Sequence, residues 1–500
     1  MRGIVVGCVT TALIAAPAAG ANATEAGSEG GRAAVAENGE GIWLAGDLHV
    51  HTPYSHDSYG GPSDDNTGPE EAHLLGNTVE GNFLAAGARG LDYLAITDHN
   101  DIRSQTDPGF GAGGVTPVRG YENSLRGHAQ MLGATQLYDS GDENSSAVAS
   151  MVQTFHDHDH GVFQVNHPAE GSTDFPHDVD WGYGYEVVPE TVEVWNISRV
   201  YQPPMPSASS NDDAVRYWEG WLDRGYKVGA TGGSDSHYIW TSISLLGSPS
   251  TWVYATENSE AAILEGLRAG RTFISHQPPA LNGPRIYLEG DADADGTFES
   301  MVGDSVTPGS QLRVRVDGAP GALLRVVTDG GTEAFEPVPV TGPQFEHRFN
   351  LAESTTWVRA EVFDPDLAEE RAQICDEPFG GDTTYCRNAL AVLAMTSAMY
   401  LEHDAMPTSL EYTGTTQARG DEIDVAAVLT ERGGPVLVGE PVTFEARGRV
   451  ATAITDEAGI ARASLRLPDH GRSVTVVSSF PGNARYEGSS DSDTVTWGRG

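Results

Sequence analysis

An α/β layer or barrel followed by two all-β sandwiches is the fold class the sequence predicts, and three observations predict it. From Trp43 to about Gln277, short strand-like runs alternate with amphipathic helical stretches, the pattern of an α/β region. Past Pro278 the helical patterns nearly vanish, and short apolar runs are separated by Gly, Pro and Asp, as in a sandwich. Within the first region the histidines and carboxylates fall directly after expected strands, and in a (β/α) barrel those strand ends converge on one rim.

The elements follow in chain order. Arg2, the apolar run Ile4 to Ala19 and the small-x-small Ala21-Asn22-Ala23 have the form of a signal peptide over residues 1–23. Export to the extracellular side is therefore expected, with an N-terminal membrane anchor as the alternative. The apolar run is short for a span of about 20 residues, so no membrane span is expected after cleavage. Residues 24–40 are Ala/Gly/Glu-rich without apolar periodicity and read as a flexible linker. In region 41–277 strands are expected at Trp43–Val50, Leu91–Thr97, Val115–Tyr121, Gly161–Asn166, Thr191–Trp195 and Tyr226–Thr231. Helices are expected there at Glu70–Arg89, Ala147–His158, Asp212–Arg224 and Glu260–Ala269. Region 278–406 has strand-like runs at Leu312–Val316, Leu323–Val327 and Trp357–Phe363 and reads as a β-sandwich. Region 407–500, with runs at Ile423–Leu429, Val442–Ala446, Ala461–Leu467 and Ser473–Ser478, reads as a second sandwich of immunoglobulin-like character.

Composition narrows the function. Of 500 residues 71 are acidic and 29 basic, a formal net charge of −42. A polyanion this strong is repelled by nucleic-acid phosphates and anionic lipid, so no stable nucleic-acid partner is expected and an anionic substrate needs a local cationic feature. A metal ion is one such feature. Three cysteines are present, and removal of the leader leaves Cys375 and Cys386, which an oxidising compartment would join as a loop-closing disulfide.

Five groups carry the chemistry. Asp47-Leu48-His49-Val50-His51 closes the first strand, Thr97-Asp98-His99 the next and Tyr121-Glu122 another; Asn166-His167 and Ser234-Asp235-Ser236-His237 complete the set. Imidazole and carboxylate suit Zn²⁺, Mn²⁺ or Fe, and a His-x-His on a strand places both rings on one face. The groups offer more ligands than one four- to six-coordinate ion uses, which points to two or three divalent ions bridged by Glu122 or Asp235.

Asp47-Leu48-His49-Val50-His51-Thr52, Ile96-Thr97-Asp98-His99-Asn100, Gly120-Tyr121-Glu122-Asn123, Val165-Asn166-His167-Pro168 and Gly233-Ser234-Asp235-Ser236-His237 resemble the ordered motifs of the polymerase and histidinol phosphatase (PHP) metallohydrolases. Their order and spacing are most similar to the carbaryl-hydrolase-like (CehA/McbA) branch, over residues 41–277. The resemblance implies a distorted seven-stranded (β/α) barrel, (β/α)7, holding two or three divalent metals that activate water against phosphoesters and, in this branch, sometimes a carbamate. Carried over by position, it implies His49, His51, His99, Glu122, His167, Asp235 and His237 as ligands. The family places a further Asp or His five or six residues past the second histidine; His56 and Asp57 occupy both places, and either serves. His128 stands where related proteins put another site histidine, the alternative being a histidine packed on the strand Ala129–Leu132.

Other candidates are weighed beside these. Arg103 and Arg126, like Arg199 and Arg271, could clamp a substrate oxyanion with the guanidinium fork, though surface arginines are common. Asp47 and Asp98 are expected behind the ligands, Asp98 orienting a histidine rather than binding metal. His156, His158 and His160 do not share a helix face and read as a solvated helix end. Asp291, Asp293 and Asp295 resemble the opening of a Ca²⁺ loop, but Val302 holds the place of the usual twelfth-position glutamate, so an acidic surface turn stands equally beside a Ca²⁺ site.

The leading expectation is a secreted metal-dependent hydrolase of small phosphomonoesters or phosphodiesters, using metal-activated hydroxide, with His128 or His237 protonating the leaving group. A carbamate or carboxylic ester is the alternative substrate. A non-catalytic extracellular binding protein with a degenerate barrel is the alternative class. Oligomeric state, substrate identity and metal identity are left open by the sequence.

Overall fold

Strands dominate because β-branched and aromatic runs recur at short spacing throughout, while only four amphipathic stretches are long enough for helices. The computed structural model describes residues 41–55, 58, 77–142, 144–169, 181–196, 210–237, 245–367, 391–402, 405–467, 472–483 and 485–497. The leader 1–23, the linker 24–40, His56, Asp57, Arg199, Cys375 and Cys386 lie outside the described residues. Among the described residues no helix is long and apolar enough to cross a membrane.

Among the described residues the first region has the strands β1 Ile42–Asp47, β2 Tyr93–Ala95, β3 Thr116–Val118, β4 Glu122–Leu125, β5 Gly127–Leu132, β6 Val162–Val165, β7 Thr191–Asn196, β8 Gly229–Gly233, β9 Ser250–Ala255 and β10 Thr272–Ser275. Its helices are α1 Val79–Ala88, α2 Ser145–Asp159, α3 Ser210–Asp223 and α4 Glu260–Arg268. Capping sets their starts: Thr78, Asn144 and Ser259 each accept a first-turn amide hydrogen bond. The helix α2 stops at His160, whose left-handed backbone cannot continue it. One apolar stripe, Val148, Met151, Val152 and Phe155, seats α2 on the core.

β1, β2 and β3 pair in parallel, and β6, β7 and β8 do the same in a second sheet. The residues of β6, β7 and β8 are wholly buried, as expected for parallel strands covered on both faces. Two isolated bridges join the sheets end to end: Val50 with Ser236 and His99 with Glu122, both parallel. Val50, Ser236 and His99 lie just past the C-terminal ends of β1, β8 and β2, and Glu122 opens β4, so the bridges fall where the motif residues lie.

Three departures from expectation concern this region. The run after Tyr121 forms an antiparallel hairpin, β4–β5, turning at Gly127, and β5 runs antiparallel to β6 as well. β9 and β10 are strands that the sequence reading passed over; β9 lies antiparallel to β1. The His49 and His51 rings lie beyond the end of β1, so a bend and a single bridge at Val50, rather than strand period alone, bring them together.

The composition change near residue 277 is not a break in hydrogen bonding. The strands that follow are β11 Arg285–Asp291, β12 Ser300–Met301, β13 Ser305–Val306, β14 Gln311–Asp317, β15 Leu323–Thr328, β16 Thr332–Glu333, β17 Val338–Pro339, β18 Gln344–Phe349, β19 Trp357–Phe363 and β20 Val392–Thr396. β10 pairs antiparallel with β20, which pairs with β19. The sheet that holds β1, β2 and β3 thus continues into the later strands, and Trp43, Leu94 and Phe273 share one core cluster with Val314, Val326 and Val362. The loss of helices marks where crossovers end; it does not mark where backbone pairing ends. A four-stranded sheet forms the other layer of this region. Past Met406, a three-stranded and a five-stranded sheet enclose their own core of Leu410, Val425, Phe444, Val476 and Val495.

Candidate metal centre

His49, His51, His99, Glu122, His128, His167, Asp235 and His237 come together from the ends of β1, β2, β3, β6 and β8 and from the β4–β5 hairpin. They form four overlapping groups: His51, His99 and His237; His49, His51 and Asp235; His49, Glu122 and His167; His99, Glu122 and His128. Within each group one donor atom per residue lies within 4.8 Å of the others. Glu122 is the hub. Its Oε2 stands 3.1 Å from His49 Nε2, 3.3 Å from His51 Nε2 and 3.2 Å from His99 Nε2, and its Oε1 stands 3.2 Å from His128 Nδ1 and 3.4 Å from His167 Nε2. Asp235 Oδ1 stands 3.3 Å from His49 Nε2 and 3.2 Å from His51 Nε2, is buried and takes no hydrogen bond.

Proton bookkeeping shows what the cluster needs. His49 Nδ1 lies 3.0 Å from Glu193 Oε1, and an ionised carboxylate only accepts, so that nitrogen carries the proton. The Nε2 lone pair then points at Glu122 and Asp235, whose oxygens are lone pairs too. Positive charge between them, a second imidazole proton or a metal ion, makes this favourable. Two donors bound about 2.0–2.1 Å from one tetrahedral Zn²⁺ stand about 3.3 Å apart, which the 3.1–3.4 Å spacings match. The residues therefore fit divalent ions. The electrostatics agree: burial disfavours a charged His49, yet Asp235, Glu122 and Glu193 outweigh it and hold its pKa well above the ordinary value. Burial likewise pushes Glu122 and Asp235 up, and the surrounding imidazoles overcome it, keeping both well below the usual carboxylate range.

Backbone strain is concentrated here. Asp235 has φ 47 and His167 φ 25, left-handed values uncommon for these residues, and both side chains enter the cluster. His128 and His237 are the most open imidazoles of the cluster, with 17% and 18% side-chain exposure against 5% or less for the other four, so the centre is open to solvent on their side.

The two supporting aspartates act through the backbone. Asp47 accepts from the amides of His49 (3.2 Å), Ser234 (3.0 Å) and Gly247 (2.7 Å), tying β1 to the turn after β8. Asp98 touches no imidazole; it accepts from the Thr52 amide at 2.6 Å and the Thr52 hydroxyl at 2.8 Å, so it fixes the residue after His51 instead of a ring. Burial pushes the Asp98 carboxyl up to about 6, against the pull of His51 and Thr52.

Sequence reasoning missed Glu193, Asn196, Ser55 and Ser124, and gave Asn166 only as the neighbour of His167 without a role of its own. Asn166 Nδ2 donates to Glu122 Oε1 at 2.7 Å, Ser55 Oγ stands 3.0 Å from His51 Nδ1, and Ser124 Oγ 2.9 Å from His99 Nδ1. A carboxylate inside the wholly buried run Thr191–Asn196 was the signal that could have found Glu193.

Other candidates separate cleanly. Arg103 is engaged by Asp101, with Nε 2.8 Å from Oδ2, and stacks over Tyr54, whereas Arg126 sits exposed at the hairpin turn two residues from His128. Arg271 pairs with Asp304 at 3.0 Å. His156 contacts Glu190 and His158 contacts Asp159, and neither belongs to a metal-sized group among the described residues. Asp291, Asp293 and Asp295 do group closely, but the loop's own amides take up their oxygens: Asp295 N donates to Asp291 and Asp293, Gly296 N to Asp291 and Thr297 N to Asp295.

No protein-family profile and no curated protein matches the chain. Among solved structures, it is similar to a two-domain protein from Bacteroides vulgatus ATCC 8482 described as containing a predicted PHP-like metal-dependent phosphoesterase. That likeness has 13% identity and a TM-score of 0.34, over 67% of this chain and 94% of the other. An Arg-specific cysteine proteinase, gingipain R, gives 14% identity over 23% of this chain and 24% of its own at a TM-score of 0.14. A Ca²⁺-stabilised adhesin with which an Antarctic bacterium binds ice gives 12% identity over 50% and 56% at 0.17. Likenesses this slight carry no functional argument, which rests on the eight converging side chains.

Proposed function

We propose that this chain is a metal-dependent hydrolase of PHP type, acting on phosphoesters. The observation that supports it most is the convergence of six imidazoles on Glu122 and Asp235 at spacings suited to two or three divalent ions, Zn²⁺ or Mn²⁺ by donor type. The seven-stranded barrel is part of this reading, and the two sheets with the bridges at Val50 and His99 support it. So are export, the Cys375–Cys386 disulfide, the CehA/McbA likeness and an immunoglobulin-like final domain.

When bound, the ions would supply a lowered pKa for water, from about 15.7 toward about 7, and charge neutralisation at phosphoryl oxygens. The chain's own residues do the rest. Glu193 holds His49 with Nε2 turned inward, and Asp98 and Asp47 fix the loops that carry His51 and Asp235. Glu122, with one oxygen toward His49, His51 and His99 and the other toward His128 and His167, would help to hold the ions with these histidines. His128 and His237, on the open side, deliver the proton to the leaving oxygen. Arg126 binds the anionic group, since Arg103 is neutralised by Asp101.

Elemental analysis of the purified chain, with hydrolysis of p-nitrophenyl phosphate, bis-p-nitrophenyl phosphate and a naphthyl carbamate before and after chelation, tests the reading. Two or three ions per chain and chelator-sensitive phosphoester turnover are expected, both lost in the His51→Ala, Asp235→Ala double variant. Carbamate turnover alone would move the bond; a metal-free, inert protein sinks the proposal.

A further inference from the structure

Strand β7 ends on Asn196, whose side-chain amide reaches two members of the centre: Nδ2 donates to Asp235 Oδ2 at 3.1 Å and to Glu193 Oε2 at 3.2 Å. Asp235 thus offers Oδ1 to the imidazoles and Oδ2 to Asn196. Because Asp235 sits in left-handed backbone past the end of β8, no regular strand geometry aims its carboxylate, and a hydrogen bond must. Asn196 is itself fixed from elsewhere, for its backbone N–H donates to Asn211 Oδ1 at 3.1 Å, at the start of α3.

The helix α3 is anchored outside the first region. Glu219 Oε1 accepts from Arg359 at 2.8 Å (Nε) and 2.7 Å (Nη2). Asp223 Oδ1 accepts from Trp357 Nε1 and from the Gly330 amide, both at 2.9 Å. Trp357 and Arg359 belong to β19. Hydrogen bonds therefore connect the later strands to α3, α3 to Asn196, and Asn196 to the carboxylate of Asp235.

We propose that Asn196 is the positioning residue for Asp235, and that α3, held by β19, sets Asn196, so the strands after residue 277 help to shape the metal centre. The inference rests on the metal reading above and deepens it. Without Asn196, the Asp235 carboxylate is free to rotate about its terminal bond and Oδ1 loses its fixed place opposite His49 and His51. Removing such a supporting partner costs about 10–100-fold in metal affinity.

The full-length chain tests this with Asn196→Ala, Asn211→Ala and Asn211→Asp, by Zn²⁺ competition against a chromophoric chelator and by thermal unfolding in excess chelator. Both alanine variants should bind the weakest-held ion about 10–100-fold less tightly, with the metal-free midpoint close to wild type. Asn211→Asp keeps the oxygen that accepts from Asn196, and its charge suits a helix start, so its affinity should return to within about threefold of wild type. Unchanged affinity in Asn196→Ala, in a chain whose wild type binds Zn²⁺, overturns the inference and leaves the function standing. A wild type that binds no Zn²⁺ removes both. A metal-free midpoint that falls as steeply as the affinity would make Asn196 merely structural, and an Asn211→Asp variant no better than alanine would break the α3 leg.

Discussion

Two buried charged clusters meet at α3, and they solve burial in opposite ways. In the cluster of Arg325, Arg359, Glu219 and Glu361, every carboxylate accepts from a guanidinium: Arg325 Nε reaches Glu361 at 2.8 Å and Arg359 Nε reaches Glu219 at 2.8 Å. Burial pushes Glu361 up and the two arginines overcome it, so donors and acceptors close on themselves. In the cluster of Glu122, Asp235 and six imidazoles, lone pairs face lone pairs wherever no proton is taken up, and a cation between them completes the set. Equal burial and comparable charge therefore distinguish nothing; the direction of the lone pairs separates a structural ion network from a binding site.

The largest effect that would sharpen this contrast is on Glu122. Glu122→Gln should drop metal content below one ion per chain and lower turnover by more than the about 10–100-fold of a supporting residue, by elemental analysis and p-nitrophenyl phosphate assay. Arg359→Met should act on the stability of the chain itself, destabilising the chelator-treated protein by about 3–5 kcal/mol in denaturant titration, since it strands Glu219 and part of Glu361. A stable Arg359→Met protein would break the comparison. The smallest effect concerns Asp212, which shares a cavity of about 20 Å³ with Arg325, Arg359 and Glu361, yet has both carboxylate oxygens buried without a hydrogen bond. Burial raises its pKa well above 3.8, so the folded chain holds a proton that the unfolded chain has released. Its contribution is fully present below about pH 3.8 and is lost as pH rises toward the folded value. Asp212→Asn should therefore stabilise the protein at pH 8 by about 1–3 kcal/mol and flatten that decline.

Much of the centre was legible because its ligands sit next to strand ends, and a strand end is a local signal. The five groups at expected strand ends marked the region, the family resemblance implied His49, His51, His99, Glu122, His167, Asp235 and His237 as ligands, and the structure brings all seven together with His128. What supports them was less visible. Asn196 and Asn211 act across fifteen positions through a hydrogen bond that no periodicity encodes. Glu193 looked like one polar residue in an apolar strand. The hairpin β4–β5 was missed because Ser124, Arg126 and Gly127 interrupt the alternation that marks a strand, although a glycine turn between short runs is what a hairpin requires. Helices were read within a few residues where caps were strong, as at Asn144 and Ser259.

The pairing of β10 with β20 bears on how this protein can be cut. A fragment ending at residue 277 would keep the whole ligand set but leave the outer rim of β10, Phe273 and Ile274 included, without its partner. Bare rims of that kind recruit neighbouring chains, so such a fragment should self-associate when expressed. The segment between Leu401 and Met406, where one sheet system ends and the final core begins, is the better place for a shorter soluble version.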